Sequence, residues 1–249
     1  MYKFEICANS VESCVKAQRG GANRVELCAG IPEGGTTPSY GDIVMARKLL
    51  NTAKLHVIIR PRGGDFLYSD LEKEIMLEDV RMARRLGVDG VVFGALTAEG
   101  DVDMEFMRRL MAESEGMSVT FHRAFDVCRD PFKALEQIIE LGCERILTSG
   151  QMPKAEEGVD LLKRLVDKAS NRIIIMPGCG VNASNIARIA EATGACEFHF
   201  SARSKRESGM QFRRSRVSMG GVVVIDEYSK DVTDEKRVRE TMEQLVIAK

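Results

Sequence analysis

A single α/β domain over residues 1–249, a (β/α)8 TIM barrel with parallel strands and outer helices, is the fold that three features of this sequence predict. Short β-branched runs alternate eight times with longer amphipathic segments. The length of 249 residues is close to what such a barrel needs. No linker or shift of composition marks a domain boundary. A doubly wound open sheet is the alternative arrangement of the same alternation.

The first strand is predicted over 4–9, and Ser10 caps a helix running to about residue 19. Strand two covers 22–28; after a loop rich in Gly and Thr, Ser39 caps a helix to about residue 50. Strand three covers 55–60. The helix over 70–86 carries Leu71, Ile75, Val80, Ala83 and Leu86 on its apolar positions and stops at Gly87. Strands four to eight fall at 88–93, 118–122, 145–148, 172–176 and 197–200. Their intervening helices fall at 102–112, about 131–142, 154–169 and 184–192, with Pro131 suited to a first helical turn. A last helix is expected over about 233–248. The segment 201–221, with Arg203, Lys205, Arg206, Arg213, Arg214 and Arg216 among Ser and Gly, fits no element and reads as a long loop.

Composition narrows the function. With 36 basic and 37 acidic side chains the net charge is -1, which argues against a dedicated nucleic-acid or anionic-membrane binder. Aromatics make up 6% and Trp is absent, leaving few platforms for stacking bases. Glu5 falls where a secretion signal needs an apolar run, and no apolar stretch approaches a membrane span of roughly 18 residues. Seven cysteines, an odd number without a CxxC pair, read as reduced thiols. The expectation is a cytoplasmic protein with no nucleic-acid or membrane partner, and a homodimer or higher homo-oligomer of the kind common among barrels.

Side chains two apart on a strand share a face. Glu5 and Cys7 therefore lie together opposite Ile6, and Glu26 and Cys28 together opposite Leu27. With Ile6 and Leu27 against the helices, the same Glu-x-Cys pair faces inward on two neighbouring strands. A carboxylate inside a barrel needs a partner or a ligand; the packing alternative pairs Glu5 and Glu26 with Arg60 and Arg62. For the cysteines the packing alternative is simple burial, common for free thiols.

Strand three leaves the barrel as Arg60-Pro61-Arg62-Gly63-Gly64, whose guanidinium forks suit a carboxylate or phosphate. Strand five ends at His122, with Asp126 in the following loop, on the barrel face that carries active sites. The exits of strands seven and eight bring Gly178, Gly180, His199 and Ser201, where many barrels hold phosphate on backbone amides. An enzyme acting on a small anionic ligand follows from these residues. Glu5 or Glu26 is its base, His122 its acid–base partner and Asp126 a neighbour. Arg60 and Arg62 hold or stabilise negative charge. P-loop, G-x-S-x-G and metalloprotease spacings are absent from the sequence.

Taken together, Glu26-Leu27-Cys28, Glu33-Gly34-Gly35-Thr36-Thr37-Pro38-Ser39, Ile59-Arg60-Pro61-Arg62-Gly63-Gly64-Asp65-Phe66, Thr120-Phe121-His122-Arg123-Ala124-Phe125-Asp126 and Leu147-Thr148-Ser149-Gly150 resemble the CutC copper-homeostasis family. The resemblance runs from about residue 4 to residue 220. It implies a barrel, cytoplasmic copper handling, and a copper ion bound at Cys7 and Cys28, which match positions proposed as thiolate ligands in that family. Soft thiolates select Cu(I). Pro177-Gly178-Cys179-Gly180 departs slightly from the family's Gly-rich form, and the tail beyond residue 221 matches weakly. Cu(I) binding and an enzyme acting on a carboxylate or phosphate metabolite both stay open, with a scaffold lacking chemistry as a third reading.

Overall fold

The computed structural model describes residues 1–214, 216–217, 219 and 225–247. The inner strands are β1 (Lys3–Ala8), β2 (Arg24–Leu27), β3 (Lys54–Ile58), β4 (Gly90–Phe93), β5 (Ser118–Phe121), β6 (Arg145–Thr148), β7 (Ile174–Pro177) and β8 (Glu197–Phe200). The helices around them are α1 (Val11–Arg19), α2 (Tyr40–Leu49), α3 (Asp70–Arg85), α4 (Met104–Glu113), α5 (Pro131–Leu141), α6 (Val159–Ala169), α7 (Ile186–Thr193) and α8 (Glu235–Ile247). The strands are ordered β7-β6-β5-β4-β3-β2-β1-β8 and each neighbouring pair is parallel. Because β8 returns to pair with β1, the open doubly wound sheet is excluded. β7 and β8 pack across the remaining seam, so the (β/α)8 barrel is nearly closed.

Local chemistry sets the helix starts. Ser10 accepts from the Ser13 N–H and Ser39 from the Asp42 N–H. Ser69 and Glu72 form a complete capping box at α3. Outward strand residues Ile6 and Leu27 are buried in the shell between strands and helices.

Three expectations are corrected. The helix after β6 begins at Val159, since residues 151–158 form turns that end on Gly158. His122 lies past the end of β5 and caps a 3-10 turn over Arg123–Val127. The segment after β8 contains a strand, β9 (Arg203–Glu207), which pairs antiparallel with β10 (Ser229–Thr233). The sequence of β9 is polar on both faces, so no alternation announces it. The hairpin is tied to α1 by the Thr233 N–H donating to Ser13 Oγ at 3.1 Å, and Asn9 donates to the Asp231 carbonyl at 2.8 Å. Residues 215, 218, 220 and 221 of the expected loop, and residue 248 of the expected last helix, lie outside the described residues.

The lumen is charged, where barrels of this type are dominated by branched apolar side chains. Arg24 donates through Nε to Glu5 and through a terminal nitrogen to Glu197 at 2.8 Å. Arg145 Nε lies 3.5 Å from the same Glu197 oxygen, and His56 Nδ1 lies 3.8 Å from Glu5. Glu5 is fully buried. The expected pairing of the inward carboxylates with Arg60 and Arg62 therefore does not occur. Arg24 stands two residues before Glu26 on the same inward face, whereas β3 ends at Ile58 and its arginines reach into loops. His56 enters the lumen because β4 offers Gly90 there: a Cβ at that position would lie 2.5 Å from His56 Nε2.

Burial tends to raise the Glu5 carboxyl, but Arg24, helped by His199 and His56, outweighs it and brings the pKa to about 2. Burial and nearby guanidiniums lower His56 to about 3, and burial with Arg60 lowers His122 to about 3.

Replacing one member of a buried ion pair strands the others. Arg24→Met is therefore expected to cost about 3–5 kcal/mol in urea unfolding at neutral pH. Both buried histidines hold folded pKa values below the ordinary 6.5, so between pH 6.5 and 3 the unfolded chain carries their protons and the folded one does not. Their stabilisation is complete above pH 6.5 and falls as pH drops, by about 1.4 kcal/mol per pH unit for each histidine at most. Glu5 adds to the loss below about 4.5. His56→Asn is expected to flatten the pH dependence measured by unfolding between pH 7 and 4.

Candidate metal centre

At the upper end of the lumen, β1 and β2 run in register with Cys7 opposite Glu26. The next inward position along β2, just past its end, is Cys28, and its sulfur lies 3.9 Å from that of Cys7. On the other flank of β1, His199 of β8 directs Nε2 to a Glu26 carboxylate oxygen at 2.8 Å. One ligand atom each from Cys7, Glu26 and His199 lie within 4.8 Å of one another, the group among the described residues with metal-ligand chemistry and convergence. Arg203, at the start of β9, donates to the Cys7 sulfur at 3.3 Å. Gly178 makes room for this arrangement. A Cβ there would lie 3.2 Å from His199 Nδ1 and 2.4 Å from Leu147 Cδ1.

The charges reinforce one another. A hydrogen bond from the Cys28 thiol, together with His199 and Arg203, holds Cys7 well below the ordinary thiol range despite burial. The same hydrogen bond, with burial, pushes Cys28 well above it. Burial alone would lower His199, but Cys7 and Glu26 more than reverse this and favour the imidazolium. Burial raises Glu26 in spite of His199. The directions of these shifts favour the thiolate at Cys7 and the thiol at Cys28, beside an imidazole biased towards its protonated form.

Cys7 and His199 form part of the floor of a cavity of about 740 Å³, open between the loops after β7 and β8. Gly180 and Ser201 line it, as do Arg123, Arg203 and Arg237. Of the residues expected to act together, Cys7, Cys28, Glu26 and His199 converge here, and Glu5 lies beneath them with one oxygen 3.9 Å from His199 Nε2.

The remaining expected residues stand apart. Arg60 donates to the carbonyls of Glu33, Gly35 and Gly64, fastening the β2–α2 loop to the β3 exit. Arg62 is held by Glu72 at 2.6 Å and Asp65 at 3.0 Å. Asp126 accepts from Arg123, from the Thr148 hydroxyl and from the N–H groups of Ser149 and Gln151. His122 accepts on Nδ1 from the Ala124 N–H, and its buried Nε2 has no hydrogen-bond partner among the described residues.

Sequence reasoning missed Arg24, His56, Arg145 and Arg203. The first three follow from the inward parity that located Glu26; Arg203 lies in a stretch with no periodic signal.

Comparison with known proteins identifies the relatives of this chain. Residues 2–204 match the CutC family model. A CutC family protein of Bacteroides thetaiotaomicron is 65% identical over 98% of this chain and 98% of the relative. A human protein named copper homeostasis protein cutC homolog is 52% identical over 96% of this chain and 87% of the relative. The crystal structure of a CutC protein from Streptococcus agalactiae superposes with a TM-score of 0.78 at 39% identity, covering 81% of this chain and 99% of that one. With its barrel, its paired inward cysteines and a match over most of its length, the chain belongs to the CutC copper-homeostasis family.

Proposed function

We propose that this protein binds Cu(I) as cargo in the cytoplasm, with Cys7 and Cys28 as its thiolate ligands and His199 as a nearby third donor. The observation that carries the reading is the sulfur–sulfur separation of 3.9 Å on neighbouring strands. It is far longer than a disulfide bond of about 2.05 Å, and short enough for one ion to bridge. Thiolates are soft ligands that favour Cu(I), and Cys7 is already biased towards the thiolate. The copper-homeostasis name carried by the human relative supports the same metal. All seven cysteines are unpaired, as a reducing compartment requires, and among the described residues no helix is long and apolar enough to cross a membrane.

Glu26 takes the part of a supporting group, accepting from His199 and fixing the imidazole. Arg203 donates to the Cys7 sulfur and holds its charge until a metal replaces that contact. The acid–base enzyme reading has less support. Glu5 is committed to Arg24 and Asp126 to its own loop, and among the described residues no carboxylate hydrogen-bonds to His122.

Anaerobic competition for Cu(I) against a chromophoric chelator tests the proposal. Stoichiometric binding in the wild type that is lost in Cys7→Ser/Cys28→Ser supports it, and equal affinity in the two proteins overturns it. Preference for Zn(II) over Cu(I) in parallel titrations also overturns it, since two thiolates and a histidine suit zinc as well. Glu26→Gln is expected to weaken Cu(I) binding by roughly 10–100-fold through misorientation of His199, which the same competition assay reads.

A further inference from the structure

Two cations on the wall of the cavity above Cys7 have no carboxylate at ion-pair distance among the described residues. Arg203 donates through one terminal nitrogen to Cys7, and its Nε has no acceptor. Arg237 of α8 donates to the Arg203 carbonyl at 2.6 Å, and among the described residues it has no carboxylate at ion-pair distance, although its charge helps lower the Asp234 carboxyl. On the barrel exterior, Arg81, Arg109, Arg172 and Arg188 each meet a carboxylate, whereas Arg164 lies over the Phe132 ring instead. Glu240, the acidic residue on the cavity rim, lies 3.6 Å from Lys236. Among the described residues, Arg203 and Arg237 thus present guanidinium groups to this cavity that no carboxylate meets at ion-pair distance.

Opposite the arginines, the loop joining β7 to α7 lines the same cavity. Its N–H groups at Cys179, Gly180, Val181 and Ala183 donate to no acceptor among the described residues, although the neighbouring Gly178 and Asn182 N–H groups are both bonded. Cys179 and Gly180 both adopt positive φ, at 74° and 75°, an uncommon geometry for a cysteine. Main-chain donors without an acceptor among the described residues and guanidiniums, on residues that line one cavity, are the elements of an oxyanion site. They come from the exits of the seventh and eighth strands, where barrels gather such donors.

We propose that this cavity binds a small phosphomonoester, its phosphoryl group held between Arg203, Arg237 and the β7–α7 loop. Three terminal oxygens can use donors from both walls, more than the two oxygens of a carboxylate would satisfy. A volume of about 740 Å³ leaves room for an organic body beyond the phosphate, and Ile31 and Val181 offer it an apolar wall. Cys7 and His199, two of the proposed copper ligands, line the floor of the same cavity, and Arg203 is shared, so an anion there competes with Cys7 for the same guanidinium.

Isothermal titration of the full-length protein with inorganic phosphate, phenyl phosphate and succinate, in the presence of a copper chelator and a reductant, tests this independently of any metal. Saturable binding of phosphate and tighter binding of phenyl phosphate are expected. Arg203→Gln and Arg237→Gln should each weaken phenyl phosphate by roughly 10–100-fold, the loss of one charge-assisted contact. Ala183→Glu, which keeps both arginines and sets a carboxylate in the loop wall, should weaken it as well. Three results overturn the proposal: no saturable binding of either phosphate at millimolar concentration, affinity indifferent to all three substitutions, or binding of succinate in preference to both phosphates.

Discussion

Arg24 bridges Glu5 of β1 and Glu197 of β8 from its own place on β2, with Arg145 of β6 closing on the same Glu197 oxygen. Burying these charges is costly, and the cost is offset only when all partners arrive together. The network therefore acts as a register pin. Sliding β2 by one residue turns Arg24 outward and deprives Glu5 and Glu197 of the guanidinium they share inside the barrel. The same slip would turn out Glu26, which shares its face, and with it the group that orients His199. The metal centre thus inherits its alignment from a layer of ion pairs below it.

That lower layer also shapes the electrostatics above. Glu5 is kept ionised by Arg24, so a negative charge sits under His199 in addition to the carboxylate of Glu26 beside it. The imidazolium so favoured draws Cys7 towards the thiolate, with Arg203 adding its charge from the cavity side. Under the proposed function, a metal ion would take the place of positive charge that the site already favours, and His199 would have to be neutral to serve as a ligand. Metal binding and protonation would then compete for one electrostatic well.

Much of this was legible beforehand. The regular alternation announced the barrel, and period-two parity alone placed Glu5, Cys7, Glu26 and Cys28 in the lumen, where they lie. The same parity carried two residues back from Glu26 reaches Arg24, so that signal was present and simply less conspicuous than the Glu-x-Cys pattern. Arg60 and Arg62 misled because their partners are mostly backbone carbonyls and helix-cap groups, which leave no mark in a sequence. His122 sits at the right end of the barrel but on strand-exit backbone that turns it into a helix cap. The β9–β10 hairpin escaped because its strands are solvated on both faces, and only its long-range pairing defines it.

The pairing of β1 with β8 joins the first strand of the chain to the last strand of the barrel, with Glu5 beside His199. During synthesis, Cys7, Glu26 and Cys28 leave the ribosome early, while His199 and Arg203 emerge only when most of the chain has been made. A nascent chain accordingly exposes two thiols without the imidazole, the guanidinium or the closed lumen that tune them. Contacts of such long sequence separation also form late and slowly when a finished chain folds. The site comes into being at the moment the barrel closes, so a ligand that needs the whole constellation recognises only completed protein and, once bound, holds the seam shut by mass action.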